Sequence, residues 1–286
     1  MTISAADVKR LRDQTGAGMM DCKTALEEAK GNADEATTIL RKRGLASAAK
    51  KAGRATGEGL IGQRLSPDHS IGTLVEVNCE SDFVARTDDF QRLITDVLDA
   101  IDTAGAAATE SWLKDPNGPV QLRVAATIGK LGENMAVPRF VRYAGQGYVG
   151  QYIHMGGTIG VQVEFGGVTP AVAAREEFRT LVKEVAMQVA AASPAYVSRH
   201  AVPAETLEKE KAIYRAQMEH SGKPANVIDK IVEGKLGSFY GLVVLPDQPS
   251  IRDPKMTVSQ VLAAATKELG TPVTVTRFAR LKVGEL

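Results

Sequence analysis

Cysteine is nearly missing from this chain. Cys22 and Cys79 are the only two, they lie far apart, and neither belongs to a CxxC. That excludes a disulfide scaffold, and two reduced thiols in a cytosolic protein are expected. Aromatic residues make up 5% of the sequence, with one tryptophan, too few for the stacking platforms that hold single-stranded nucleic acid. No apolar run approaches the roughly 20 residues that span a bilayer. The opening stretch MTISAADVKRLRDQTG carries charge early and has no apolar core, so no signal peptide is expected. An excess of one charge is missing too. With 35 basic against 34 acidic residues, nothing drives the whole chain toward nucleic acid or a membrane surface. There is no GxxxxGK[ST] and no HExxH, and the four histidines (His69, His154, His200, His220) show no metal-ligand spacing to a cysteine. No nucleophile stands beside a base. Enzyme chemistry, a metal site and a cofactor are therefore not expected.

What remains is ordinary globular material. The chain has 286 residues, 44% of them apolar and 24% charged, enough for two or three domains of roughly 100–150 residues. The charge is unevenly spread. Residues 1–54 hold 11 Lys/Arg against 7 Asp/Glu. The basic excess sits late in that segment, from Arg41 to Ala55. It reads either as a solvated helix end and linker or as a basic surface for an acidic partner.

The first 54 residues read as three short helices. Ser4 followed by Asp7 makes a capping box, and Val8 and Leu11 share a face. Gly16 and Gly18 break the chain. A second helix covers about Met19 to Ala29, with Cys22, Leu26 and Ala29 on one stripe. Asn32 caps a third, with Ala36, Ile39 and Leu40 inward and Gly44 closing it. Helices this short must pack together to be stable. Met19 and Met20 are consecutive and cannot both face inward, so at least one is a turn residue or an apolar contact for a partner.

The remainder contains a repeat. A shift of 88 residues aligns Gly59–Gln63 with Gly147–Gln151, Ile71–Glu76 with Ile159–Glu164, and Asp88-Asp89-Phe90 with Glu176-Glu177-Phe178. Further on, Leu131-Gly132 and Arg139-Phe140 recur as Leu269-Gly270 and Arg277-Phe278 at a shift of 138, so the second copy carries an insertion of about 50 residues. Each copy reads as strand (Leu60–Leu65, Tyr148–Ile153), strand (Gly72–Cys79, Gly160–Phe165), long helix (Asp88–Asp102, Ala171–Ala192), helix and strand (Val120–Leu131 then Met135–Tyr143; Val258–Leu269 then Val273–Leu281). The expected fold is α+β: an N-terminal three-helix bundle, then a duplicated core of antiparallel strands backed by helices. The expected divisions are 1–54, 55–144 and 145–286. The insertion, about 193–242, reads as an αα-hairpin of Pro203–His220 and Ala225–Gly234 around Ser221-Gly222-Lys223-Pro224. Its ends should lie close together, and Leu207, Ile213, Ile228 and Ile231 should zip its helices. The repeat also disposes of Gly57–Gly62, literally a GxGxxG. A basic linker precedes those glycines and no helix follows, so they open a strand rather than a dinucleotide site.

The copies disagree after the second strand. Copy one reads Cys79-Glu80-Ser81-Asp82-Phe83-Val84-Ala85-Arg86, where copy two has Thr169-Pro170-Ala171-Val172 opposite Ser81–Val84. Ser81 or Asp82 can simply cap the next helix, and Phe83 can fill the core. Yet the duplicate manages with Ala171 in place of Phe83, so an aromatic and a carboxylate at this junction look like an addition for an outside contact. His154 stands at a hairpin turn opposite Ser66 and beside Gly156-Gly157, where a histidine is either solvated or a second contact.

The stretches TGAGMMDCKTALEEA, KKAG, EVNCESDFVAR, KLGEN, MQVAA and SGKP…VEGK, in this order over nearly the whole chain, resemble the bacterial elongation factor Ts family. The resemblance implies a guanine nucleotide exchange factor whose partner is elongation factor Tu, acting in the cytoplasm on a protein GTPase, with no membrane and no direct nucleic-acid contact required. It implies that the N-terminal bundle is like a ubiquitin-associated domain and docks through Arg12, Met19 and Met20. It implies that Ser81, Asp82, Phe83 and Val84 form the element that helps dislodge the partner's magnesium ion. It implies that His154 makes a further partner contact and that the helical hairpin serves any larger assembly. Some members carry Thr where this chain has Ser81, which keeps the hydroxyl cap. The chain stops at Leu286 after the last strand, so the extra C-terminal helix of some members is not expected. The competing expectation is an RNA- or ribosome-binding protein using the basic segment 41–54.

Overall fold

A computed structural model of the chain describes residues 3–145, 147–218 and 224–285. Three helices come first: α1 (Ala5–Thr15), α2 (Met19–Glu28) and α3 (Ala33–Lys51). Val8, Leu11, Cys22, Ala25, Leu26, Ala29 and Ala36 form their small core. Ser4 accepts from the Asp7 amide, so the cap exists. The reciprocal half differs from the expected box: the Asp7 carboxylate takes the Ser4 hydroxyl at 2.6 Å. Asn32 Oδ1 accepts from the Asp34 and Glu35 amides and starts α3.

Gly44 does not close α3, which runs on to Lys51. The glycine serves a close approach instead. A Cβ there would lie 3.2 Å from the Ala125 carbonyl oxygen of a helix in the first core copy. The second half of α3 is thereby packed onto that copy, with Ala48 against its core. Most of the basic run from Arg41 is thus helix, with Arg43 paired to Glu28 at 2.5 Å.

The first copy follows as β1 (Glu58–Leu65), β2 (Ile71–Cys79), α4 (Asp82–Ala85), α5 (Asp88–Ala104), α6 (Glu110–Lys114), α7 (Pro119–Leu131) and β3 (Met135–Ala144). The second is β4 (Tyr148–His154), β5 (Ile159–Gly166), α8 (Pro170–Ala173), α9 (Glu176–Ala192), α10 (Ala204–Met218), α11 (Ala225–Val243), α12 (Val258–Leu269) and β6 (Thr274–Lys282). Each copy makes a three-stranded antiparallel sheet, β1-β2-β3 and β4-β5-β6. The long helix expected over Ala171–Ala192 is broken. The single turn α8 precedes α9, and α4 stands at the same place in copy one.

The contacts repeat with the sequence. In each copy the central strand bulges just after a glutamate, Glu76 and Glu164. Each glutamate pairs with an arginine on the neighbouring strand, Arg139 at 2.7 Å and Arg277 at 2.8 Å. Gly62 in β1 admits Ile94 of α5, and Gly150 in β4 admits Val182 of α9; a Cβ at either glycine would overlap its helix neighbour. Helices cover one face of each sheet, and the other faces meet through Ile61, Leu74 and Leu281. Glycine allows that meeting as well: Gly72 faces Val149, and its counterpart Gly160 faces Ile61. The central strands, covered on both sides, are buried almost end to end.

The insertion leaves and rejoins copy two at one point. The Ala195 and Tyr196 amides donate to the Val243 carbonyl at 2.8 and 2.9 Å, so its ends are adjacent as expected. Its second helix passes Gly234 and Gly237 and continues to Val243, because Val232, Leu236 and Phe239 bury one face throughout. Ile213 is exposed and does not belong to the seam. The Tyr214 ring takes that part, under the Lys235 ammonium. The expected turn Ser221-Gly222-Lys223, His220 and Leu286 lie outside the described residues. No described helix is long and apolar enough to cross a membrane.

Candidate functional site

β2 ends at the buried Cys79, and the chain must then turn onto α5. It does so through Glu80, Ser81 and the single turn α4. Ser81 is extended (φ −129°) and its hydroxyl accepts from the Val84 amide, so the cap reading of Ser81 holds. Thr169 caps α8 by the same bond to the Val172 amide. The cap therefore belongs to the shared scaffold. Phe83 does not fill the core. It is 79% exposed at the crest of the turn, which is unusual for a phenylalanine. Its counterpart Ala171 is exposed too. Val84 is half-buried and packs on the first core beside the buried Ala85. Asp82 is half-exposed and held by Arg86 at 2.7 Å.

The crest is braced from a distance. Glu133, in the turn between α7 and β3, accepts from the Ser81 hydroxyl at 2.6 Å and from the Ser81 amide at 3.0 Å. Glu80 accepts from the Asn134 amide at 2.6 Å and pairs with Arg54 at 3.4 Å. The Asn134 side chain donates to the Arg54 carbonyl at 2.8 Å, which ties in the linker that follows α3. Underneath, Cys79 donates to the Ser81 carbonyl. Burial, with the Glu133 charge added, pushes its thiol up to about 12, so it is a core group and not a reactive thiol.

The N-terminal candidates stand around the Gly16–Gly18 turn. Arg12 is exposed in the last turn of α1, and Met19 and Met20 open α2 with 52% and 69% exposure. Both methionines therefore face outward. Two adjacent flexible thioethers on a surface are apolar material without an internal partner. His154 is exposed at the end of β4, its Nδ1 bonded to the Tyr152 hydroxyl at 2.8 Å. The next residue, Met155, is 68% exposed and has a left-handed φ of 50°. The turn Met155–Gly157 and α4 both pack on β1. Arg12, Met19 and Met20 belong to α1 and α2 of the N-terminal bundle.

Sequence reasoning missed Glu133, Asn134, Glu80 and Met155. A signal existed for the first two. At the shift of 138, Glu133-Asn134 fall opposite Thr271-Pro272. That is the same disagreement between copies that singled out Phe83.

The family model described as Elongation factor TS matches residues 80–285. The chain is 44% identical to the elongation factor Ts of Trichlorobacter lovleyi over 291 positions, spanning all of this chain and 94% of that protein. It is 42% identical to that of Aquifex aeolicus, spanning all of this chain and 99% of the relative. It is 39% identical to that of Lawsonia intracellularis, with both chains fully spanned.

Proposed function

Because the chain belongs to the elongation factor Ts family, we propose that it is the guanine nucleotide exchange factor of elongation factor Tu, with Phe83 as the side chain that enters the partner. The exposed Phe83 on a capped, braced turn carries this reading. A scaffold that needs only Ala171 at the same place gains nothing internal from it. Burying the ring in the partner returns about 1.5–3 kcal/mol. That is enough to bias a small backbone shift around a magnesium ion, which tolerates little departure from octahedral geometry. Loss of the ion uncovers the charge of the nucleotide phosphates and GDP leaves. Linkage is reciprocal: whatever factor weakens nucleotide binding strengthens binding to the empty GTPase. No bond is made or broken on this chain.

Arg12, Met19 and Met20 form the second docking patch in this reading, and His154 with Met155 the third. The divisions 1–54, 55–144 and 145–286 are its units. The hairpin α10–α11 is the unit for any larger assembly. The test is release of fluorescent GDP from elongation factor Tu. Phe83→Ala should keep the melting temperature, as surface substitutions do, within about 0.5 kcal/mol. It should lower the maximal release rate at least about tenfold, the loss of about 1.4 kcal/mol of transition-state contact. A wild-type release rate would refute the role of Phe83.

A further inference from the structure

We propose that Glu133 is a positioning residue for exchange: its carboxylate holds the Phe83 crest in the attitude that the partner meets. This rests on the reading that Phe83 enters the partner.

The crest has little holding of its own. α4 is one turn long, and a single turn gains too few hydrogen bonds to offset the ordering of its backbone. The Ser81 cap on Val84 is long, at 3.4 Å. An exposed aromatic on such a turn would sample many directions. The partner would then select one of them, at a cost to apparent affinity equal to the competent fraction. Glu133 removes that freedom. It takes the Ser81 amide and hydroxyl together, one on each oxygen, at 3.0 and 2.6 Å. Charge-assisted bonds of this kind are about twice as strong as neutral ones. Because the two donors belong to one residue, both the position and the rotation of the turn start are fixed.

Glu133 is itself anchored. The next residue, Asn134, is buried, gives its amide to Glu80 at 2.6 Å and its side chain to the Arg54 carbonyl at 2.8 Å. The α7–β3 turn is thus locked on both sides of the loop it braces. Copy two shows that the fold does not require the device. Thr169 caps α8 with Thr271 and Pro272 where Glu133 and Asn134 would be, and no exposed aromatic is carried there. The carboxylate clamp and the aromatic occur together in one copy and are missing together from the other.

The experiment uses the full chain and two readouts. In the free protein, Glu133→Ala should speed amide hydrogen exchange at Ser81 and Val84 at least tenfold and leave α5 and β2 unchanged. In GDP release from elongation factor Tu, the same variant should lower the maximal rate. In the Phe83→Ala background it should lower it no further, since there is no ring left to position. Glu133→Gln, which keeps one acceptor, should fall between. Unchanged exchange at Ser81 and Val84 overturns the proposal, as does an equal rate loss in both backgrounds. If Phe83→Ala itself leaves GDP release at the wild-type rate, the entering role of Phe83 fails. The amide exchange then still decides whether Glu133 holds the crest.

Discussion

The two core copies share a skeleton and differ in what they expose. Glutamate–arginine pairs, bulges, intruding helix side chains and hydroxyl caps recur at corresponding positions. At the one-turn helix after the central strand, copy one presents Phe83 and braces it with Glu133, while copy two presents Ala171 and no carboxylate. A duplicated chain therefore separates scaffold from function by internal contrast. What both copies keep answers to folding, and what one copy adds answers to something outside. Each half of that statement can be broken by experiment.

The largest effect should come from the scaffold pairs, and they should be unequal. The Glu76 side chain is fully buried, and besides Arg139 it accepts from the Gly284 amide at 2.9 Å. Arg139 also reaches the carbonyls of Lys282 and Glu285, so this pair ties the C-terminal segment of copy two onto copy one. Glu76→Ala takes one acceptor from the Arg139 guanidinium and one from the Gly284 amide inside the fold, at about 3–5 kcal/mol. Glu164 is nearly buried, but its Arg277 is half-open to water and can be rehydrated, so Glu164→Ala should cost about 1–2 kcal/mol. Denaturant midpoints decide it, and equal losses would mean the C-terminal tie contributes nothing. The Arg277 hydrogen bonds hold the Glu164 carboxyl below its ordinary value of 4.5, against its burial. A depressed carboxyl stabilises the fold above its unfolded value and loses that contribution as pH falls through the folded one. Glu164→Ala should accordingly flatten the acid side of the stability profile below pH 4.5.

The intruding helix side chains come next. A Cβ on Gly62 overlaps Ile94 and lies 3.2 and 3.3 Å from Val75 and Leu98. A Cβ on Gly150 overlaps Val182, while its other nearest atoms stand at 3.6 and 3.8 Å. Overpacking costs about 1–3 kcal/mol, and β-branched neighbours cannot swing away. Gly62→Ala should sit near the upper end and Gly150→Ala near the lower. Thermal denaturation measures both, and a rise in melting temperature for either would show that the glycine is not there for the helix.

Much of this scaffold was legible because duplication let the chain be read against itself. The offset of 88 placed strands and helices together and drew attention to Ser81–Val84. Other features were illegible for physical reasons. A glycine late in a helical pattern reads as a C-cap, and only the neighbour across α3 shows that Gly44 makes room for Ala125. Gly234 reads as a stop because the apolar face carrying α11 past it is defined by what it packs on. Ile213 reads as a seam residue by its type, but the facing helix buries Val232 and Leu236 and leaves Ile213 outside. The contrast between copies marks Glu133, but it stands 52 residues from Ser81, and no local pattern links a carboxylate in one turn to a hydroxyl in another. Burial also made the difference for Phe83. Its sequence position allowed core or surface, and the exposed crest chose surface.

The smallest expected effect bears on that contrast most directly. Ala171→Phe would copy the exposed aromatic into the second scaffold. Ala171 is exposed and α8 is capped by Thr169 as α4 is by Ser81, so the ring should be accommodated with a stability change within about 0.5 kcal/mol. Functionally the variant should do nothing. The Thr271-Pro272 turn offers no carboxylate to fix the crest, and α8 packs on α9 of copy two, whereas α4 packs on β1 and β2 of copy one. Combined with Phe83→Ala, it should fail to restore GDP release. Recovery of even a third of the wild-type rate would mean that any exposed aromatic on a capped turn suffices. Place and bracing would then lose their claim, and the contrast between the copies would reduce to a single side chain.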